Sequence, residues 1–448
     1  MRPDAVPVGR PTGLPIRSIS DLVLWLAVFS GGFVFYEPSP HELIYAAAIP
    51  IWFLAGLTIP RSIGPLVFLM LAFVAGGFLA ITQSNDLQLT KQPLFVAVTA
   101  FLALTAIFYA SLVARRPDAL RIILAAYIAA AVATTFLGII GYFGLTPDGL
   151  FTLYDRAAGG FKDPNVFGPF LVFPFVILVQ RILTEPLRTL PKNGVLAVII
   201  LAGIFLSFSR AAWGLTVLST VGMALLLFVN ERSHAVRARY IGISVAGAVA
   251  VAVLLAGALS VPAVQDLFVQ RAQIVQDYDA GHLGRFQRHA IGFNLMLEHP
   301  LGLGYTEFGK IFGEDEHDIW LKALTTYGWL GFVSLLALTI WTIALGVPLA
   351  FRASAVQPVM QVALVVFVGH ILIATVIDVD HWRHLYLLFG LIWGGVAFTR
   401  SRRTAPAPDR PARVSRGYRE VRIAVPVAIA PPPRRNYSPH ASERSAAW

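Results

Sequence analysis

HDIWLKALTTYGWLGFVSLLALTIWTIALGVPLA, His317 to Ala350, is a continuous apolar run longer than one membrane-spanning helix. It directly follows the one large polar loop of the chain. Nine residues separate Asp318 from Gly328, and two separate Gly328 from Gly331. The excess length predicts a helical turn or two beyond the bilayer. The two glycines, one turn apart, predict that a neighbouring helix approaches closely there. A histidine at the water-facing mouth of a membrane bundle is well placed to handle a proton. Arginines gather in loops on the same side. Together these features point to a site at one membrane face that holds an anion and takes a proton.

The rest of the chain repeats the pattern. Of its 448 residues, 56% are hydrophobic and 13% charged, and the mean hydropathy is +0.69. Apolar runs near 20–36, 42–59, 64–82, 93–113, 120–141, 165–183, 195–209, 211–229, 240–261, 318–350, 358–377 and 384–398 predict about twelve transmembrane helices. The runs are continuously apolar rather than alternating, which excludes a membrane β-barrel. The first run follows a Pro-containing stub with Arg2, Arg10 and Arg17, and no small-residue cleavage site marks a signal peptide. The absence of cysteine excludes disulfides, thiolate metal sites and cysteine nucleophiles.

The cations set the topology. With the N-terminus inside, inner loops hold Arg61; Arg115, Arg116 and Arg121; Arg181, Arg188 and Lys192; Arg232, Arg237 and Arg239; Arg352; and Arg400, Arg402 and Arg403. Short outer loops hold only Lys91, Arg156, Lys162, Arg210 and Arg383. This is the positive-inside bias. The outer face carries most of the acids, including Asp148, Asp155, Asp163, Glu314, Asp315, Glu316, Asp378 and Asp380. Three regions result: a cytoplasmic stub over 1–18, a polytopic membrane domain over 19–403 with its outer loop at 263–316, and a basic tail over 404–448. The tail is rich in Pro, Arg and Ala and reads as disordered and cytoplasmic. Its charge suits anionic lipid headgroups, and no structured element presents it to nucleic acid.

Four outer motifs carry candidate chemistry. Arg156-Ala-Ala-Gly-Gly-Phe-Lys162-Asp163-Pro164-Asn165 precedes the sixth run; Asn165 is a candidate helix cap, and two cations stand where the charge rule expects none. The plain alternative is a capped turn. Ser209-Arg210 forms the tip between the seventh and eighth runs, and guanidinium geometry suits phosphate; the alternative is a snorkelling arginine. Residues 284–300 predict an amphipathic helix with Arg285, Arg288, His289 and Gly292 on one face and Phe286, Phe293 and Leu297 on another. That polar face turns either to a phosphate-bearing substrate or to solvent, with the helix lying on the membrane. His317, among acids that would raise its basicity, is the candidate base; the alternative is a structural histidine at a helix start.

His317-Asp318, nine residues, Gly328, two residues and Gly331 resemble the signature of O-antigen ligases and Wzy-type polysaccharide polymerases. Ser209-Arg210 and the Gly284-Arg285 to His299-Pro300-Leu-Gly302-Leu-Gly304 stretch are similar to that superfamily. The Phe161 to Gly168 loop resembles its exopolysaccharide-polymerase branch. Asp318 stands where the family carries an amide or hydroxyl residue, and the loop arginine lacks the leucine that ligases often show four positions on. Both departures favour polymerase over ligase.

The resemblance implies an all-α, GT-C-like enzyme of the bacterial inner membrane, with one large periplasmic loop and its active site at the periplasmic face. It implies a metal-independent inverting glycosyltransferase, without cofactor, moving a glycan from undecaprenyl diphosphate to an acceptor hydroxyl in polysaccharide synthesis. His317 would be the base. Arg210 and Arg285 would bind the diphosphate, with Arg288 an alternative to Arg285. Arg156, Lys162, Asn165 and Asp318 are the further candidate substrate contacts. The acceptor is another glycan or the lipid A core, and export or chain-length proteins are candidate partners beside the bilayer; nucleic acid is not. Two rivals stand outside this class: a small-solute transporter, which would place ionisable groups or broken helices near the midplane, and a non-catalytic member of an export complex.

Overall fold

The computed structural model describes residues 16–84, 91–147, 149–272 and 285–404. The first fifteen residues, the tail from 405 and part of the large loop therefore lie outside the described residues. The described residues are helical almost throughout. In order come α1 (Ile16–Phe29), α2 (Pro40–Leu54), α3 (Gly64–Ile81), α4 (Lys91–Arg115), α5 (Ala119–Tyr142), α6 (Pro164–Thr184), α7 (Leu190–Leu206), α8 (Arg210–Asn230) and α9 (His234–Ala258). The large loop contributes α10 (Pro262–Ala272), α11 (Arg285–Glu298) and the short α12 (Glu307–Phe312). The chain then closes with α13 (Ile319–Phe351), α14 (Gln357–Ile373) and α15 (Arg383–Thr404). One small hairpin, β1 (Thr152–Leu153) with β2 (Arg156–Ala157), folds before α6.

Every apolar run of the sequence contributes helix. Among the described residues, eight of these helices, α3 to α9 and α13, are long and apolar enough to cross a bilayer. An all-α, multi-pass membrane protein follows, because backbone groups in hydrocarbon must be bonded within the segment.

Small residues set the tightest packing, as expected where lipid and side chains are equally apolar. A Cβ at Gly390 or Gly394 of α15 would lie 2.8 Å or 2.9 Å from the carbonyl oxygens of Ala106 and Ala110, so α4 and α15 touch backbone to backbone. A Cβ at Gly76 of α3 would meet the Tyr327 oxygen at 2.4 Å and the Gly331 nitrogen at 2.9 Å. The close approach expected of Gly331 is present. At the other extreme, α9 buries only Tyr240; an apolar helix in a bilayer needs no protein neighbour.

Gly328 departs from expectation. It takes φ 65° and ψ −174° and breaks α13 into two arms, 319–327 and 329–351. The run is thus a short arm followed by a long one rather than one continuous helix.

Contacts sort the loops into two sets. In one, Arg383 bonds Glu42 and pairs with Glu37 at 3.8 Å, Lys162 pairs with Glu37 at 3.6 Å, and Ser84 bonds Glu307 at 2.9 Å. In the other, Arg116 bonds Asp21, Arg17 bonds Asp118, Arg115 bonds Thr58, and Asn230 bonds the Ala350 carbonyl. Successive loops alternate between the sets, and the cation-rich loops belong to the second.

Candidate functional site

The head of α13 is built by its cap. The Asp318 Oδ1 accepts from the Trp320 N–H at 2.9 Å, and the Ile319 N–H donates to the Ala374 carbonyl at 2.9 Å. His317, just before the cap, is exposed and has φ 50°. Its neighbours are engaged elsewhere. Glu316 is 6% exposed, accepts from the Thr325 hydroxyl, and lends its carbonyl to the His289 Nε2 at 2.8 Å. Burial raises both the Glu316 and Asp318 carboxyls above their ordinary range, Lys322 opposing it at Glu316 and the cap hydrogen bond at Asp318. Arg288, on the inward face of α11, pairs with Glu314.

The break at Gly328 is satisfied by the stretch after α11. The Trp329 N–H donates to the Pro300 carbonyl at 2.9 Å, while the Thr325 carbonyl accepts from Leu303 and Gly304 at 2.7 Å and 3.1 Å. Backbone groups freed from the helix thus find partners within the protein. The two separate sequence motifs, 284–304 and 317–331, are here one structural unit. Of the amphipathic helix, Arg288, His289 and Gly292 turn inward and Phe293 and Leu297 outward. The side chain of Arg285 lies outside the described residues.

Beneath this turn lies a polar cluster that the sequence reading did not assemble. Lys322, 6% exposed, bonds Asp378 and lies 3.7 Å from Asp380. The Tyr327 hydroxyl donates to Asp380 at 3.2 Å, and Thr99 bonds both Tyr327 at 2.7 Å and the His381 Nε2 at 2.9 Å. Phe95 is sandwiched between Tyr305 and His381, with ring centroids 3.7 Å and 4.0 Å away. Burial and then Asp378 hold the Asp380 carboxyl well above its usual range. Burial pushes Asp378 up, and the Lys322 charge together with hydrogen bonds from Lys322 and Asp380 outweighs it, leaving that carboxyl low. Burial, then Lys322, holds His381 down at about 3. The available signal was a lysine inside an apolar run, a feature that marks function by default. The apolar cavity beside Asp380, about 20 Å³ and lined by Met70, Phe73, Trp320 and Tyr386, has room for about one water.

A second group surrounds the α7–α8 tip. Phe208 takes φ 45°, Ser209 caps α8, and Arg210 opens it half-buried. Arg156, 5% exposed, donates from Nε to the Ser207 carbonyl at 2.8 Å and from Nη2 to the Asn165 Oδ1 at 2.7 Å. The expected Asn165 cap is corrected: Asp163 caps α6 by accepting from the Asn165 N–H at 2.7 Å, because Pro164 holds the first helical position and leaves Asn165 inside the helix. Arg156, Asn165 and the Arg210 tip are thus brought together, while Lys162 is drawn to Glu37. Helix α14 links the two groups: Gly369 packs on Leu215 and Ser219 of α8, and Ala374, just past its end, binds the head of α13. Among the described residues, no group of three or more histidine, aspartate or glutamate side chains is arranged to hold a metal ion.

Residues 195–336 match the model of the family described as O-antigen ligase. No curated protein matches the chain. The matched stretch runs from α7 into the second arm of α13 and contains Arg210, Arg288, His317 and Gly328. It supports the O-antigen ligase and Wzy-type superfamily, and with it glycan transfer by a glycosyltransferase-like, multi-pass membrane enzyme.

Proposed function

We propose that this chain, carrying the O-antigen ligase family's segment, polymerises a polysaccharide. It takes a glycan from an undecaprenyl-diphosphate donor to the hydroxyl of a second lipid-linked glycan, at the periplasmic face of the inner membrane. What supports the reading is His317: exposed, on a turn braced by His289 and the Asp318 cap, and in the matched segment together with Arg210 and Arg288. The acceptor hydroxyl gives its proton to the imidazole as its oxygen bonds the anomeric carbon. The anomeric carbon–oxygen bond to the diphosphate breaks, and the diphosphate leaves with the electron pair. Arg210 and Arg285 neutralise the charge that develops on it, without a metal. Attack from the face opposite the leaving group inverts the anomeric centre. Arg156, Lys162, Asn165 and Asp318 border the path of the glycan, and Arg288 stands in reserve for Arg285.

The test is gene deletion followed by complementation with wild type and with His317→Ala, assaying surface lipopolysaccharide and secreted polysaccharide side by side. Loss of secreted polymer alone is expected, restored by wild type but not by the variant at equal protein level. Core lipid lacking its long glycan, with lipid-linked chains intact, would mean ligase instead. Unchanged polymer with His317→Ala would remove the base from the mechanism.

A further inference from the structure

His317 carries a Cβ in the left-handed region, where such residues are uncommon. That conformation persists only where the surroundings over-determine it. Here the bracing is specific. The His289 Nε2 lies 2.8 Å from the carbonyl of Glu316, and its Nδ1 lies 3.9 Å from the Asp318 Oδ2. One imidazole thus reaches the residue before His317 and the residue after it. Because a carbonyl can only accept, Nε2 carries the proton in this bond. The reach depends on Gly292, three residues along α11. A Cβ there would lie 2.7 Å from the Phe308 ring and 3.1 Å from Leu321, so α11 lies flush against the first arm of α13.

We infer that His289 is a positioning residue: it fixes the backbone of residues 316–318 so that the His317 imidazole is held toward one place. The inference rests on His317 being the base that meets the acceptor. Holding a catalytic group in register is worth large factors, and a displacement of about 1 Å costs about a hundredfold.

The chain has no cysteine, so His317→Cys supplies a single thiol for a nitroxide label on the full-length protein in nanodiscs. The expected spectrum is immobilised with His289 in place. It becomes mobile with His289→Ala or His289→Phe, which cannot donate, and immobilised again with His289→Gln, whose amide can reach the Glu316 carbonyl. In cells with native His317, His289→Ala and His289→Phe should lower polymer about a hundredfold at equal protein level, and His289→Gln should restore it to within about tenfold. His289→Phe keeps the ring's bulk, so the Phe–Gln contrast carries the test should the alanine variant fail to accumulate. A label equally immobile in the Phe and Gln variants overturns the brace, whatever the polymer does. A freed label with normal polymer overturns the positioning role. Polymer made by His317→Ala would instead sink the proposed chemistry, leaving the label data to judge the brace separately.

Discussion

At the scale of single residues, charge geometry decides function and burial decides titration. Arg210 opens α8 at the helix tip. A lysine there keeps the charge and loses the planar fork that matches phosphate. Arg210→Lys should lower polymer about a hundredfold, within the range for removing one charge-stabilising donor; normal output would mean the arginine merely snorkels. His381 gives the pH dependence. Burial, then Lys322, holds its imidazole at about 3, against about 6.5 unfolded. Between those values the unfolded chain binds the extra proton, so this contribution to stability is full above about pH 6.5 and lost as pH falls towards about 3. The melting temperature in detergent should therefore drop with acidification over that window. His381→Phe, which keeps the stack on Phe95, should flatten the drop; an unchanged slope would exclude His381 as its source. His317, Arg210 and Arg288 stand out in the sequence as candidates by their types and positions. Lys322, Asp378, Asp380 and His381 were present in the same sequence but not joined, because the pairing spans fifty-six residues and depends on how α13 packs beside the loop between α14 and α15.

At the scale of elements, the break in α13 is the feature on which the site depends. Gly328 sits at φ 65° and ψ −174°, a region essentially reserved for glycine. A Cβ there would lie 2.7 Å from the Leu301 backbone. Gly328→Ala should destabilise the protein by at least about 1–3 kcal/mol, read as a lower melting temperature, and should abolish polymer by disturbing the 300–304 stretch. A variant with wild-type melting and output would show that the break is dispensable. The sequence supplied the helix and both glycines. It did not show that one glycine admits α3 while the other ends a helix arm, because periodicity is the same on either side of the break. The two faces of α11 were legible from spacing alone, since a 3.6-residue period fixes which side chains share a side. Which face turns inward was fixed by Gly292 against Phe308 and Leu321.

At the scale of the whole molecule, alternating loop sets make topology testable. Single cysteines in place of Tyr36 and Tyr154, both exposed in the first loop set, should react with an impermeant maleimide from the periplasm. A cysteine in place of Leu187, exposed in the second set, should react only after permeabilisation. Equal labelling of all three would refute the arrangement. The sequence by itself determined the solvent of the fold: continuous apolar runs leave the backbone no choice but helix in a bilayer, and the bias of lysine and arginine predicts the sides of the loops. The tertiary structure alone decided where Gly328 breaks α13, which carboxylates gather around Lys322, and that His289 reaches both flanks of His317. Those outcomes depend on contacts between segments distant in sequence, whose energies arise only when helices pack closely enough to bury charge and to re-bond the backbone freed at a break.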